Sequence, residues 1–171
     1  MDRGGHRLDA LDVDLIARLR GEPRIGMLEL SRRAGVARAT VQARLRRLEE
    51  SGIVTGYGPE IDLRTAGYPV QAFVTLEIAQ GSLGQLTKEL EEFPEVVQAW
   101  ATTGAGDVLC RVAAASHDDL QALLIELHHS STVARSVSVV VLSEIVAFRT
   151  LPLIAKTVRP QDHDNSPRRG T

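Results

Sequence analysis

One cysteine, Cys110, stands among 171 residues. An internal disulfide is therefore impossible, and a cysteine-rich metal site is excluded. No apolar run approaches the roughly 20 residues that a spanning helix needs. No basic stretch followed by an apolar segment opens the chain, so no secretory leader is visible and the cytoplasm is the expected compartment. Ser, His and Asp all occur, yet no nucleophile motif or carboxylate pairing stands out. No internal repeat is visible either. Neither an enzyme nor a metal or cofactor site is expected on these grounds. What is present is a composition ordinary for globular protein, 43% hydrophobic and 25% charged.

The charge balance is small overall, a net −2, but it is unevenly spread. Residues 1–66 hold 12 Arg against 10 Asp/Glu, whereas residues 67–150 hold 4 Lys/Arg against 10 Asp/Glu. The first part is basic by 2 and the second acidic by 6. Such asymmetry predicts two modules with different partners.

The basic part concentrates in Met27 to Val54, where Arg32, Arg33, Arg38, Arg44, Arg46 and Arg47 all precede Glu49. A first helix opens at Asp9 or Asp12, with Leu11, Leu15, Ile16 and Leu19 at helical spacing, and stops at Gly21-Glu-Pro23. A second runs from Met27 to Ala34, and Gly35 turns the chain. A third runs from about Ala37 to Glu50, burying Val41, Leu45 and Leu48. Its other side carries Ala39, Thr40, Gln42, Ala43, Arg46 and Arg47. Small residues permit close approach to a groove, Thr and Gln can bond base edges, and Arg can reach phosphate or guanine. A solvated basic face is the plainer reading of that pattern. The preceding helix and turn favour a helix-turn-helix. Gly52 to Leu63 contains two short β-prone pieces and reads as a small wing, giving a winged helix-turn-helix over 8–58. A turn-rich linker follows at 59–69.

From Val70 the periodicity changes to two. Strands are expected over Val70–Ile78, Val96–Thr103, Val108–Ala114 and within Val133–Phe148, centred on Ser136–Leu142. Helices are expected over Leu83–Phe93, capped by Ser82, and from Ser116 to about His129. This β-α-β-β-α-β order makes 70–150 a ferredoxin-like domain, and the chain as a whole α+β. One sheet face should meet the helices. The other is mixed: Gln71, Phe73, Thr75, Glu77, Gln98, Trp100, Leu109, Arg111, Ser138, Val140 and Leu142. A face half apolar suits an interface between copies of the chain. Glu77 and Arg111 are expected to pair across neighbouring strands. Residues 156–171 lack apolar periodicity and are expected to be a disordered tail, and Met1–Arg7 a frayed arm.

His128-His129 diverge by about 100° on a helix and do not form a metal pair. His117-Asp118-Asp119 reads as an acidic helix start. Cys110 reads as an inert core thiol. Trp100 reads as interface packing or, more sharply, as the wall of a small-molecule pocket. Gly104-Ala-Gly-Asp107 reads as a hairpin turn whose glycine amides could approach a carboxylate.

Several segments together resemble the Lrp/AsnC family of transcription factors. They are Leu8-Asp-Ala-Leu-Asp12, Leu30-Ser-Arg-Arg-Ala-Gly35-Val, Thr40-Val41 and Arg44-Leu-Arg-Arg-Leu-Glu-Glu-Ser-Gly-Ile-Val54. In the second half they are Pro94-Glu-Val, Thr103-Gly104 with Asp107, and Leu151-Pro-Leu. The resemblance spans roughly residues 8–155 and implies a RAM-type second domain. It implies a homodimer built on the sheets, assembled further into tetramers or octamers. It implies a small effector, an amino acid or a relative of one, bound at contacts between dimers near the turn that here is Thr102, Thr103, Gly104, Ala105, Gly106 and Asp107; Trp100, two residues before that turn, is a further candidate. Two positions depart from the family pattern. Ala37 stands where a serine commonly caps the third helix, and Val108 follows Asp107 where a larger residue is common.

The expected function is therefore a DNA-binding regulator responding to a small effector, with double-stranded DNA as partner and no membrane. Arg46, Arg47, Thr40 and Gln42 are expected at the DNA, with Arg38 and either Arg32 or Arg33 on phosphates and Arg44 bracing the fold. Two other classes fit the architecture less well. A tetrapyrrole decarboxylase of this architecture would need a convergent His/Lys/Arg set in the sheet domain. A stand-alone effector-binding assembly protein would not need the arginine-bearing helices.

Overall fold

The computed structural model describes residues 7–79 and 81–158. Of the expected frayed arm (Met1–Arg7) residues 1–6, and of the expected tail (156–171) residues 159–171, lie outside the described residues. The chain divides into two compact units: residues up to Pro59 together with those from Ala147 onward, and Glu60–Val146.

The first unit is helical. Helix α1 (Ala10–Gly21) starts on a reciprocal cap. The Asp9 carboxylate accepts from the Asp12 N–H at 2.9 Å, and the Asp9 N–H donates to the Asp12 carboxylate at 3.1 Å. Two donors that the first helical turn would otherwise leave unmet are thereby satisfied. Helix α2 (Met27–Ala34) ends at Gly35, whose φ of 67° is the left-handed conformation glycine adopts cheaply. Its N–H reaches the Arg32 carbonyl at 3.2 Å and that of Val36 the Ser31 carbonyl at 3.1 Å. Helix α3 (Arg38–Glu50) begins after an extended Ala37, and among the described residues no side chain caps it.

Leu15, Leu30, Val41, Leu45 and Leu48 form the core of this unit, with Ile53 and Val54 packed on it. Each such buried side chain contributes about 1.5–3 kcal/mol. The segment expected to form wing strands forms none. The N–H groups of Ile53 and Val54 both donate to the Leu48 carbonyl at 3.0 Å, so they finish α3 instead of joining a ladder.

The second unit has the expected βαββαβ order. Strands β1 (Val70–Ile78), β2 (Val96–Ala101), β3 (Val108–Ala114) and β4 (Val133–Val140) form one antiparallel sheet in the order β2-β3-β1-β4. Helices α4 (Leu83–Glu91) and α5 (His117–His129) supply Leu86, Leu90, Leu120, Leu123 and Leu127 to a core with Ala72, Val74, Leu76, Cys110 and Val112. Ser116 caps α5 by accepting from the Asp119 N–H at 3.1 Å. Ser82 makes no such bond at α4, contrary to expectation; its backbone there is not extended. After the sheet the chain returns to the helical unit, where a short helix absent from the sequence reading, α6 (Leu151–Ala155), packs on α1.

Two expectations about the open sheet face are corrected. On β4 the outward residues are Val137 and Val139, opposite Thr75 and Phe73. Ser138 and Val140 lie opposite Val74 and Ala72, on the helix side. The run Val139-Val-Val-Leu142 has no alternation from which the phase could be read, and Leu142 lies beyond the strand. Arg111 stands opposite Phe73 and donates to the Gln71 side chain at 2.8 Å. Glu77 instead meets Arg135 of β4 at 3.6 Å.

Candidate nucleic-acid interface and effector loop

Helix α3 buries one stripe and exposes the rest. Arg38, Ala39, Thr40, Gln42, Ala43 and Arg46 are all exposed. Arg32, Arg38 and Arg46 form no salt bridge with any described residue. Arg33, by contrast, is paired with Glu29 at 2.7 Å and with Glu22 at 2.6 Å. Those hydrogen bonds, first that to Glu29, raise the Arg33 pKa. Both pairs are solvent-exposed, and such pairs are weak and salt-screened.

Arg44 and Arg47 are held differently. Arg44 bonds Asp9 and reaches the Asp12 carboxylate at 3.2 Å. Arg47 bonds the other Asp12 oxygen at 2.5 Å. Asp12 is fully buried, so these contacts are partly withdrawn from water. Partial burial works against the Asp9 anion, but the Asp12 N–H and Arg44 outweigh it and its pKa falls. The bond to Asp9 is likewise the first reason that the Arg44 pKa rises. At the far end of α3 the Tyr57 hydroxyl donates to Glu49 at 2.5 Å. Burial, then that carboxylate, pushes the Tyr57 pKa up to about 12.

In the sheet unit the turn between β2 and β3 is tied down at its base. The Thr102 N–H donates to the Asp107 carbonyl at 2.8 Å, and the Thr102 hydroxyl to the Gly106 carbonyl at 2.9 Å. Asp107 is anchored to β1: its N–H meets the Leu76 carbonyl at 2.9 Å, and its carboxylate accepts from the Ile78 N–H at 2.8 Å. Gly104 has φ 116°, and a Cβ on Gly106 would lie 2.2 Å from the Thr75 methyl. The glycines are thus required, one by conformation and the other by close approach. Among the described residues, none accepts a hydrogen bond from the backbone N–H groups of Thr103, Gly104, Ala105 or Gly106. Trp100 is 40% exposed on the open sheet face, beside Leu109.

Known proteins divide in the same two parts. Residues 8–55 match the model for a winged helix-turn-helix DNA-binding domain, and residues 71–151 that for the Lrp/AsnC ligand binding domain. An HTH-type transcriptional regulator of Mycobacterium tuberculosis is 31% identical over 142 residues, covering 82% of this chain and 95% of the relative. The chain belongs to the Lrp/AsnC family. It is a transcriptional regulator with a DNA-binding helix-turn-helix and a ligand-binding domain. The HTH-type transcriptional regulator FL11 of Pyrococcus horikoshii is 28% identical over 117 residues, 68% of this chain and 78% of that protein. Among solved structures, AsnC of E. coli superposes with a TM-score of 0.79 at 26% identity, covering 85% of this chain and 99% of the other. A transcriptional regulator of Neisseria meningitidis, solved as a complex with L-Met, gives a TM-score of 0.78 at 26% identity over 85% and 97% of the two chains.

In this Lrp/AsnC regulator the helix-turn-helix match covers α1 to α3, and the ligand-domain match covers the sheet. One feature of the sheet unit has no counterpart in the sequence reading. A cleft of about 360 Å³ runs between α4 and the edge strand β2, lined by Leu83, Leu86, Leu90, Val96, Ala99 and Ala101 among others. The apolar residues of an amphipathic helix and an edge strand look like ordinary core in one dimension. Only the structure shows that they leave a gap. Among the described residues no helix is long and apolar enough to cross a membrane.

Proposed function

We propose that this regulator reads duplex DNA with α3 and that its occupancy of DNA responds to an amino acid bound at the β2–β3 turn. The observation that carries the DNA assignment is what remains once the carboxylates have taken their share. With Arg44 and Arg47 on Asp9 and Asp12, the exposed side of α3 keeps Ala39, Thr40, Gln42, Ala43 and Arg46 without side-chain partners among the described residues. Arg38 and Arg32 stand at the turn, where phosphates pass a groove-bound helix. Arg33 reaches phosphate only by leaving its exposed acidic partners. The residues that meet DNA directly are therefore Arg32, Arg38, Ala39, Thr40, Gln42, Ala43 and Arg46.

For the effector, the unpaired amides of residues 103–106 suit a carboxylate, and Asp107 keeps one carboxylate oxygen for an ammonium. The cleft begins at Ala101, one residue before the turn, and its apolar lining suits an apolar side chain. The L-Met bound by the Neisseria meningitidis relative supports this choice of ligand class. Phe73, Trp100, Val137 and Val139 on the open sheet face support a homodimer that presents two copies of α3 to a roughly palindromic site.

One titration tests both halves. Fluorescence anisotropy of the full chain on a duplex enriched from a random pool, across salt and with each amino acid added, gives affinity and salt slope. Arg38→Ala with Arg46→Ala is expected to weaken binding and to flatten the log–log salt slope by about 0.9 for each phosphate no longer neutralised. An unchanged slope refutes the α3 assignment. No response to any amino acid refutes the effector assignment.

A further inference from the structure

Among the described residues, Asp12 is the only charged side chain that is fully buried. Both of its oxygens are used. One accepts from Arg44 at 3.2 Å; the other accepts from Arg47 at 2.5 Å and from the Asp9 N–H at 3.1 Å. A buried carboxylate stripped of its cations is strongly unfavourable, so Asp12 and the two arginines form an obligatory set. Arg47 is committed to it at the expense of its own Nε, which is buried with no partner among the described residues.

Arg44 and Arg47 sit three residues apart, on one flank of α3 and one turn from each other. A single fixed point on α1 therefore grips that flank at two successive levels, beside the buried stripe of Val41, Leu45 and Leu48. Apolar packing resists separation of the helices but is non-directional. Two charge-assisted bonds to one carboxylate define an angle. The angle matters at the groove. With side chains reaching 5–6 Å from the axis, a roll of about 20° displaces their tips by roughly 2 Å. Base-edge hydrogen bonds tolerate only a few tenths of an ångström.

We infer that Asp12 is a positioning and specificity-determining residue for DNA recognition: it sets the roll of α3 and withholds Arg44 and Arg47 from the phosphates. This rests on the reading of α3 as the groove helix. The withholding counts as much as the positioning. Freed guanidiniums would add sequence-independent affinity and so dilute discrimination.

The test uses the full chain, a duplex enriched in vitro by the wild-type protein, and an alternating-sequence duplex of the same length. Asp12→Asn is compared with Leu15→Ala, a core change in the same helix that bonds neither arginine. For Asp12→Asn, affinity for the enriched duplex is expected to fall while that for the alternating duplex rises, so their ratio drops at least tenfold. The salt slope on the alternating duplex is expected to steepen by about 0.9 for each guanidinium released. Leu15→Ala is expected to lower thermal stability while leaving the ratio within twofold. A folded Asp12→Asn protein with an unchanged ratio overturns the inference. Should Asp12→Asn not fold, Arg47→Met decides. Its ratio is expected to fall with the alternating-duplex slope at the wild-type value, and a slope reduced by about 0.9 overturns the inference. Failure of the wild-type protein to enrich any duplex refutes the α3 reading itself and is a separate outcome.

Discussion

Replacing Gly106 by alanine tests how tightly the β2–β3 turn is seated on β1. The added methyl would lie 2.2 Å from Thr75 Cγ2 and 3.3 Å from the Leu76 carbonyl oxygen. The first distance is well inside van der Waals range, so either Thr75 leaves its rotamer or the turn lifts. Lifting strains the Asp107 N–H bond to Leu76 and the Ile78 N–H bond to Asp107. Overpacking of this kind costs about 1–3 kcal/mol. The assay is urea unfolding followed by Trp100, the chain's single tryptophan, which sits on β2 and reports the sheet unit. Thr75→Ser removes the offending methyl, at an expected loss of under about 1 kcal/mol on its own. Combined with Gly106→Ala it should restore about half or more of the stability forfeited, a coupling of at least roughly 0.5 kcal/mol. If Gly106→Ala is neutral, or if Thr75→Ser brings no relief, the close-approach argument is wrong.

Two further outcomes are expected. Ala37 is extended and followed by an uncapped helix, so Ala37→Ser should stabilise the helical unit by about 1 kcal/mol, seen as a higher melting temperature; no gain would mean that the α3 amides are already satisfied. Hydrogen bonds from Ser130, then Thr132, hold the Glu89 pKa below its ordinary value of 4.5. A depressed folded-state pKa gives stability that is present above the unfolded value and lost as pH falls through the folded one. The stability advantage of the wild type over Glu89→Gln should therefore shrink below pH 4.5 and hold constant from there to neutrality, as measured by urea unfolding across pH.

The parts of this molecule that sequence conveyed were those with a period. Val41, Leu45 and Leu48 announce the buried side of α3, and the alternation from Val70 to Ile78 announces β1. The order of elements then yields the ferredoxin-like sheet. Partner choice was not legible. A helical wheel places Arg47 near the outward side of α3, and nothing local says that a carboxylate 35 residues earlier will claim it. Glu77 had two neighbouring strands on which to find a cation; the regular register from Ala72 to Glu77 puts it opposite Arg135, whereas Arg111 stands opposite Phe73. The wing was expected from β-prone residues, but the amides of Ile53 and Val54 are taken by the end of α3. Helix α6 has five residues, too few for a periodic signal.

That last helix has a consequence for synthesis. The helical unit is completed by Leu151–Ala155 lying on α1, with Arg20 donating to the Phe148 carbonyl at 3.1 Å. The first and last elements of the described chain are thus neighbours, with the whole sheet unit between them in sequence. On the ribosome α1 to α3 emerge before the sheet unit, and they must hold their shape on their own core until every strand has been made. Closure of the helical unit is a late event between segments far apart in sequence, and the sheet unit can finish before it. A fragment ending at Pro59 would carry the three helices but leave the α6 side of α1 bare.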